Sequence, residues 1–166
     1  MKLIFTKSGA PLSRFIRWGL NEPVSHVGIL FDNKLVFHSN LLGVHPEGIY
    51  SFKSHSELVL ELELNLTLDQ EEAIYQALLV KYDGNPYDYS AFAYFVWRAF
   101  LYKTMNTPIP NTNAWQKPTW YICDGLLECL NIPESPEWLK TAIESLGDIE
   151  MKSPFKVYQE LSKTIK

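Results

Sequence analysis

The alternation of leucine with polar residues is clearest between positions 58 and 66. There Leu60, Leu62, Leu64 and Leu66 alternate with Glu61, Glu63 and Asn65. A period of two predicts a half-buried strand with the leucines on the core side. Residues 24–31 are rich in Val, Ile, Leu and Phe without alternation, which predicts a strand buried on both faces. Asp32-Asn33 turns the chain, and 34–39 returns as a second strand. A short strand is expected at 2–6. Between 43 and 52 the pattern predicts a loop and a further strand, with 48–52 as the paired part.

Helical spacing takes over elsewhere. Ser8-Gly9-Ala10-Pro11 is a turn, followed by a short helix over 12–18 with Phe15, Ile16 and Trp18 on its apolar side. Thr67 or Asp69 caps a helix running to about residue 82, with Ala73, Ile74, Ala77, Leu78 and Leu79 as its apolar positions. Gly84-Asn85-Pro86 breaks it, and an aromatic helix follows over 87–103. Residues 104–117 form a long polar loop. Further helices are expected at 119–130, at 134–146 behind Ser135-Pro136, and from Ser153-Pro154 to about 163. No repeat or internal boundary interrupts the chain. The expectation is one α+β domain over 1–166, an antiparallel sheet packed against helices.

Composition narrows the function classes. The 166 residues are 46% hydrophobic and 20% charged, a balance that supports one good core. A net charge of −4 argues against a nucleic-acid partner, because a phosphate-backbone binder presents a basic face. The aromatic stretch 82–102 is expected to be mainly core, with a substrate or lipid groove as the alternative. The longest apolar run, 89–102, carries Arg98 and is shorter than the roughly 20 residues that span a bilayer, so no transmembrane segment is expected. With no export signal at the start, the expected location is the cytoplasm of the producing cell, with release or virion association as alternatives. Oligomeric state stays open.

Three side chains carry the candidate chemistry. His26 and His38 are twelve residues apart around the Asp32-Asn33 turn, and Cys123 lies far downstream, near the start of the 119–130 helix. A thiol enzyme needs a nucleophile, a base, and a group that orients the base. In that set His26 takes the Cys123 proton, giving a thiolate–imidazolium pair, and His38 holds the His26 ring. A helix N-terminus at Cys123 would favour the thiolate and supply oxyanion donors. The parity of the turn decides whether the histidines cooperate. A two-residue loop puts them on opposite faces, whereas Asp32-Asn33-Lys34 as a three-residue loop places His38 opposite Gly28 and diagonal to His26. The odd loop, or an equivalent bulge, is the expectation. Cys129, beside Leu130, is expected to be packing, and His45 and His55 structural. No cofactor and no metal is called for.

These residues resemble a known family. Ser25-His26-Val27-Gly28-Ile29-Leu30, with His38 following, resembles the histidine hairpin of the NlpC-type papain-like superfamily. The order His26, His38, Cys123 is similar to its circularly permuted branch, which includes lecithin retinol acyltransferase-like enzymes and bacterial, viral and phage relatives. The stretch 12–18 resembles the lead-in of permuted members, and Gly84-Asn85-Pro86-Tyr87 resembles the family's Gly-x-Pro-Tyr element. The similarity spans roughly 2–130. Ile122 and Asp124 depart from the family's Asp-Cys-Ser-Gly around the nucleophile.

The resemblance implies a papain-like fold and a cysteine peptidase or amidase-like hydrolase with a Cys123–His26–His38 triad. It implies cleavage of a cell-wall peptide or isopeptide-like amide through a thioester. Tyr87, Tyr121 and Asp124 are then the candidate substrate or oxyanion contacts, and peptide, peptidoglycan-stem or acyl groups the candidate partners. The alternatives are acyltransferase or thioesterase-type activity at membranes, or a weakened binding module such as a phage or virion component, motivated by Asp124 beside the sulfur.

Overall fold

The computed structural model describes all of 1–166 except residues 111, 113, 116, 118–120, 124, 148 and 166 and the side chain at 150. Five strands form one open antiparallel sheet: β1 (Lys2–Lys7), β2 (His26–Leu30), β3 (Leu35–Asn40), β4 (Gly43–Gly48) and β5 (Glu57–Glu63), in the order β4-β3-β2-β1-β5. The helices are α1 (Pro11–Leu20), α2 (Ile49–His55), α3 (Leu68–Tyr82), α4 (Tyr89–Met105), α5 (Glu137–Glu144) and α6 (Pro154–Thr164). The α+β class and the antiparallel sheet agree with the sequence pattern.

Strand alternation divides the apolar residues between the two faces. On one face Leu3, Phe5, Val27, Ile29, Phe31 and Phe37 join a large core with Ile74 and Leu78 of α3, Leu139 of α5, and Val157 and Leu161 of α6. On the other, Ile4 and Val36 meet Ile49 and Phe52 of α2. His26, His38, His45 and Glu47 belong by register to this second face. Among the described residues its apolar cluster is covered by one short helix, α2, and a cleft opens beside it.

Several elements match their sequence signals closely. Thr67 caps α3 with a reciprocal capping box to Gln70. Ser153 caps α6, its hydroxyl accepting from the Lys156 N–H. The leucine alternation of β5 holds, with Leu64 buried, Leu60, Leu62 and Leu66 partly buried against the core, and Glu61 and Glu63 exposed.

Two local expectations are corrected. The strand expected at 48–52 lies earlier, at Gly43–Gly48, and residues 49–55 are helical. β4 is an edge strand, where Pro46 costs no ladder hydrogen bond. Ile49 and Phe52, three apart, present one helical face to the sheet. The helix expected at 119–130 is a 3-10 turn over Gly125–Leu130, and Cys123 precedes it in a turn. Residues 119, 120 and 124 of the expected helix lie outside the described residues, and among the described ones no α-helix starts at the thiol. The aromatic helix α4 buries Ala91, Phe95 and Ala99 but exposes Trp97, Phe100 and Tyr102, so much of its aromatic surface is not core.

Candidate functional site

The β2–β3 turn has the parity that brings the histidines together. The Phe31 N–H donates to Leu35 O at 2.9 Å and the Lys34 N–H to Phe31 O at 2.9 Å, closing a three-residue loop, Asp32-Asn33-Lys34. Lys34 takes a left-handed conformation, φ 66°. A turn followed by one left-handed residue is the usual way to build such a loop, and the Asn33 side chain supports it by accepting from the Leu35 N–H. Ile29 pairs with Phe37 and Leu30 with Val36, so Gly28 falls opposite His38. A Cβ at Gly28 would stand 3.4 Å from the His38 Cβ and 3.0 Å from Val36 Cγ1.

His26 Nε2 lies 3.1 Å from His38 Nδ1, with the rings nearly perpendicular at 86°. That hydrogen bond leaves Nδ1 of His26 and Nε2 of His38 for other partners. β4 supplies the next layer. His45 stands directly opposite His38, and Glu47, two residues on, faces the same side. Glu47 Oε2 stands 3.3 Å from the buried His38 Nε2, the one carboxylate contact of that ring among the described residues. The same carboxylate is held by α2: the Ser51 hydroxyl donates to Glu47 Oε1, and His55 Nε2 lies 3.1 Å from Oε1 and 3.2 Å from Oε2.

Cys123 reaches this face through backbone stitching. Tyr121 forms an isolated parallel bridge with Tyr87. Its N–H donates to Pro86 O at 3.2 Å, its carbonyl accepts from the Asp88 N–H at 3.3 Å, and the Ser39 hydroxyl of β3 donates to the same carbonyl at 2.7 Å. The segment before the 3-10 turn is thereby fastened to the strand that carries His38. His26, His38 and Cys123 line one cleft of about 520 Å³, whose walls include Leu12 and Ile16 of α1, Leu41, Leu42, Phe52, Tyr87 and Phe92.

The remaining candidates separate. Tyr87 lines the cleft. Tyr121 packs edge-on against Tyr82 beside the main core and does not line the cleft. Asp124 lies outside the described residues. Cys129 is 1% exposed within the core, and burial pushes its thiol up. Neither cysteine is in a disulfide.

The electrostatics favour neutral imidazoles. Burial, reinforced by His38 and His55, pushes His26 down to about 3. Burial and His45 push His38 down to about 4, against the opposing pull of Glu47. Both rings are uncharged near neutral pH, and burial makes His26 a weaker base than a free imidazole, in contrast to the preformed thiolate–imidazolium pair expected from sequence.

Glu47, His45 and His55 were not in the sequence-derived site. The available signal was the spacing 45, 47 on one strand face, which becomes visible only when β4 is placed at 43–48. Pro46 argues against that placement until β4 is known to be an edge.

No family model matches the chain, and no curated protein matches it. The crystal structure of metalloprotein YiiX from Escherichia coli O157:H7, DUF1105, is similar over 95% of this chain and 89% of that one, with 18% identity and a TM-score of 0.47. This neighbour belongs to a different family from the NlpC-type or acyltransferase-like one, so that resemblance is corrected. The labels hydrolase, cysteine peptidase or thiol protease, and papain-like fall as well. Among the described residues no helix is long and apolar enough to cross a membrane.

Proposed function

We propose that the chain is a thiol-dependent acyl-transfer enzyme in which Cys123 is the nucleophile, His26 the base and His38 the group that positions the base. The observation that carries this reading is the cleft itself, where the hydrogen-bonded His26–His38 pair and Cys123 meet. His26 Nδ1 removes the thiol proton, sulfur attacks the carbonyl carbon of an amide or ester, and a tetrahedral oxyanion forms. His26 returns the proton to the leaving amine or alcohol, and a thioester remains on Cys123. An acceptor alcohol, amine or thiol, deprotonated by His26, then takes the acyl group and restores the Cys123 thiol. Glu47 supplies the negative charge that a histidine pair lacks and stabilises His38 as His26 becomes charged.

The walls favour an apolar acyl group. Lys7 is the one Lys or Arg among the described lining residues, and no carboxylate is among them, which suits a hydrocarbon chain better than a charged peptide stem. Tyr87 is a candidate to contact the bound acyl group.

The test is intact-mass analysis after mixing the protein with p-nitrophenyl octanoate. The expected result is one octanoyl adduct on Cys123 with a burst of p-nitrophenol, and no adduct on the Cys123→Ser variant at that position. A wild-type protein that gives neither burst nor adduct refutes the reading.

A further inference from the structure

The same face holds a second constellation. His38, His45 and Glu47 each bring one ligand atom to within 4.8 Å of the others. The second ring nitrogens are already committed. His38 Nδ1 is bonded to His26, and His45 Nδ1 lies 3.2 Å from Gly43 O, to which it donates as N–H. His38 places Nε2 3.3 Å from Glu47, and each of the two rings is held by an outer hydrogen bond, as metal-ligating histidines usually are. His38 is 1% exposed, and its Nε2 is buried with no hydrogen-bond partner. A buried ring nitrogen without a hydrogen bond, 3.3 Å from a carboxylate and next to a second imidazole, suits a cation that replaces its proton.

The spacing suits a small one. Tetrahedral zinc, with bonds of about 2.0–2.1 Å, sets its donor atoms about 3.3–3.4 Å apart. His38 Nε2 and Glu47 Oε2 already stand at 3.3 Å, and a ligand atom of His45 lies within 4.8 Å of the set. Two imidazoles and one carboxylate select a borderline transition metal over magnesium or calcium. His55, held on Glu47 at 3.1 Å, keeps the carboxylate oriented from the outer side.

We propose that His38, His45 and Glu47 bind a divalent transition metal ion of the zinc class, and that the bound ion silences Cys123. The second half rests on the acyl-transfer reading. Without metal, His38 carries its proton on Nε2, facing Glu47, and accepts at Nδ1 from His26 Nε2–H. His26 Nδ1 then keeps its lone pair for the thiol. An ion on His38 Nε2 forces that ring's proton to Nδ1, which donates to His26 Nε2. His26 must then carry its own proton on Nδ1 and has no lone pair for the sulfur. Each ring holds one proton before and after; only the tautomers change.

The experiment is a calorimetric zinc titration of chelator-treated protein, paired with iodoacetamide labelling of Cys123. One zinc per chain is expected, with affinity reduced at least about tenfold in both His45→Ala and Glu47→Gln and unchanged in Cys123→Ser. One equivalent of zinc should slow Cys123 labelling about tenfold in the wild type and leave the His45→Ala variant unaffected. No one-to-one binding in the wild type, or loss of binding in Cys123→Ser with retention in His45→Ala, overturns the site. Binding as expected with unchanged labelling overturns the silencing alone. A wild type that never forms the octanoyl adduct but still binds zinc through His45 and Glu47 removes the acyl-transfer reading and leaves the site standing.

Discussion

At the scale of single residues, the proposed roles of the two histidines are separable, because the second ring nitrogen of His38 stands 3.3 Å from Glu47 and that of His26 is the one proposed to take the thiol proton. His26→Ala should lower Cys123 acylation by about 10²–10⁴-fold, the usual contribution of a proton-transfer group. His38→Asn should cost only about tenfold, since it removes orientation and leaves the base. The comparison is read from the burst rate of p-nitrophenol under single-turnover conditions, and equal losses would mean that His38 is the proton acceptor. The two cysteines differ as sharply. Cys123 lines the cleft while Cys129 is enclosed in the core beside Tyr82, whose hydroxyl is pushed up to about 12, chiefly by burial. Iodoacetamide should therefore label Cys123 while Cys129 stays unmodified in the native protein, and comparable labelling of both in a peptide digest would contradict the burial difference. The three candidates Cys123, His26 and His38 were legible as residue types, because a thiol and imidazoles offer few other reasons to lie near a turn. Glu47 was not legible, because one carboxylate among many exposed ones carries no local mark.

Elements set the distances between those residues, and two of them depend on single side chains or their absence. Gly43 opens β4 at φ 106°, and a Cβ there would stand 2.5 Å from Asn85 O. The same junction is closed by the Val44 N–H donating to Asn85 O and the Gly84 N–H to Val44 O. Gly43→Ala should cost about 2–3 kcal/mol through backbone strain, seen as a lower thermal midpoint, with Tyr87 displaced from the cleft as well. An unchanged midpoint would show that this approach is not tight. Asp88 caps α4 and ties down the segment that bridges to Tyr121. Its carboxylate accepts from the Ala91 N–H at 2.8 Å, the Ser90 hydroxyl at 2.6 Å and the Lys117 N–H at 2.7 Å. Burial works to raise Asp88, but these bonds outweigh it and hold the carboxyl below its ordinary value. A depressed folded pKa contributes stability that is present above the unfolded value, near 4, and is lost as pH falls through the folded value. Asp88→Asn should cost about 1–2 kcal/mol at pH 7 and flatten the fall of thermal midpoint below about pH 4. An acid limb identical in variant and wild type would exclude Asp88 as its source. The caps Thr67 and Ser153 were readable in sequence because a cap is a local bond within four residues. The β4 boundary was not, because Pro46 is acceptable only at an edge, and edge position is not a local property.

Across the whole molecule, the uneven covering of the sheet makes the cleft. One face carries α3, α5, α6 and the 3-10 turn, and the other carries only α2 beside the histidines. The cleft walls are drawn from α1, the β3–β4 turn, α2 and α4, elements far apart in sequence. If the apolar walls bind the acyl group, p-nitrophenyl octanoate should acylate Cys123 at least about tenfold faster than the acetate, and Leu12→Asn should reduce that preference. A rate independent of chain length would place the acyl group outside these walls.

Local pattern alone determined the helices and strands with strong period, the caps, and the condition under which His26 and His38 could share a face. Those are properties of neighbouring residues, set by the pleat of a strand and the orphan N–H groups of a helix. Tertiary structure decided the rest. It met the parity condition through a left-handed Lys34, set His45 and Glu47 against His38 by pairing β4 at the edge, and brought Cys123 in through Tyr121. It also replaced the expected helix around Cys123 with a turn and a short 3-10 segment, as buried Leu126, Leu127, Cys129 and Leu130 were drawn into the core. Long-range pairing and burial against distant residues leave no period in the chain, and that is why the second layer of the site emerged only from the folded form.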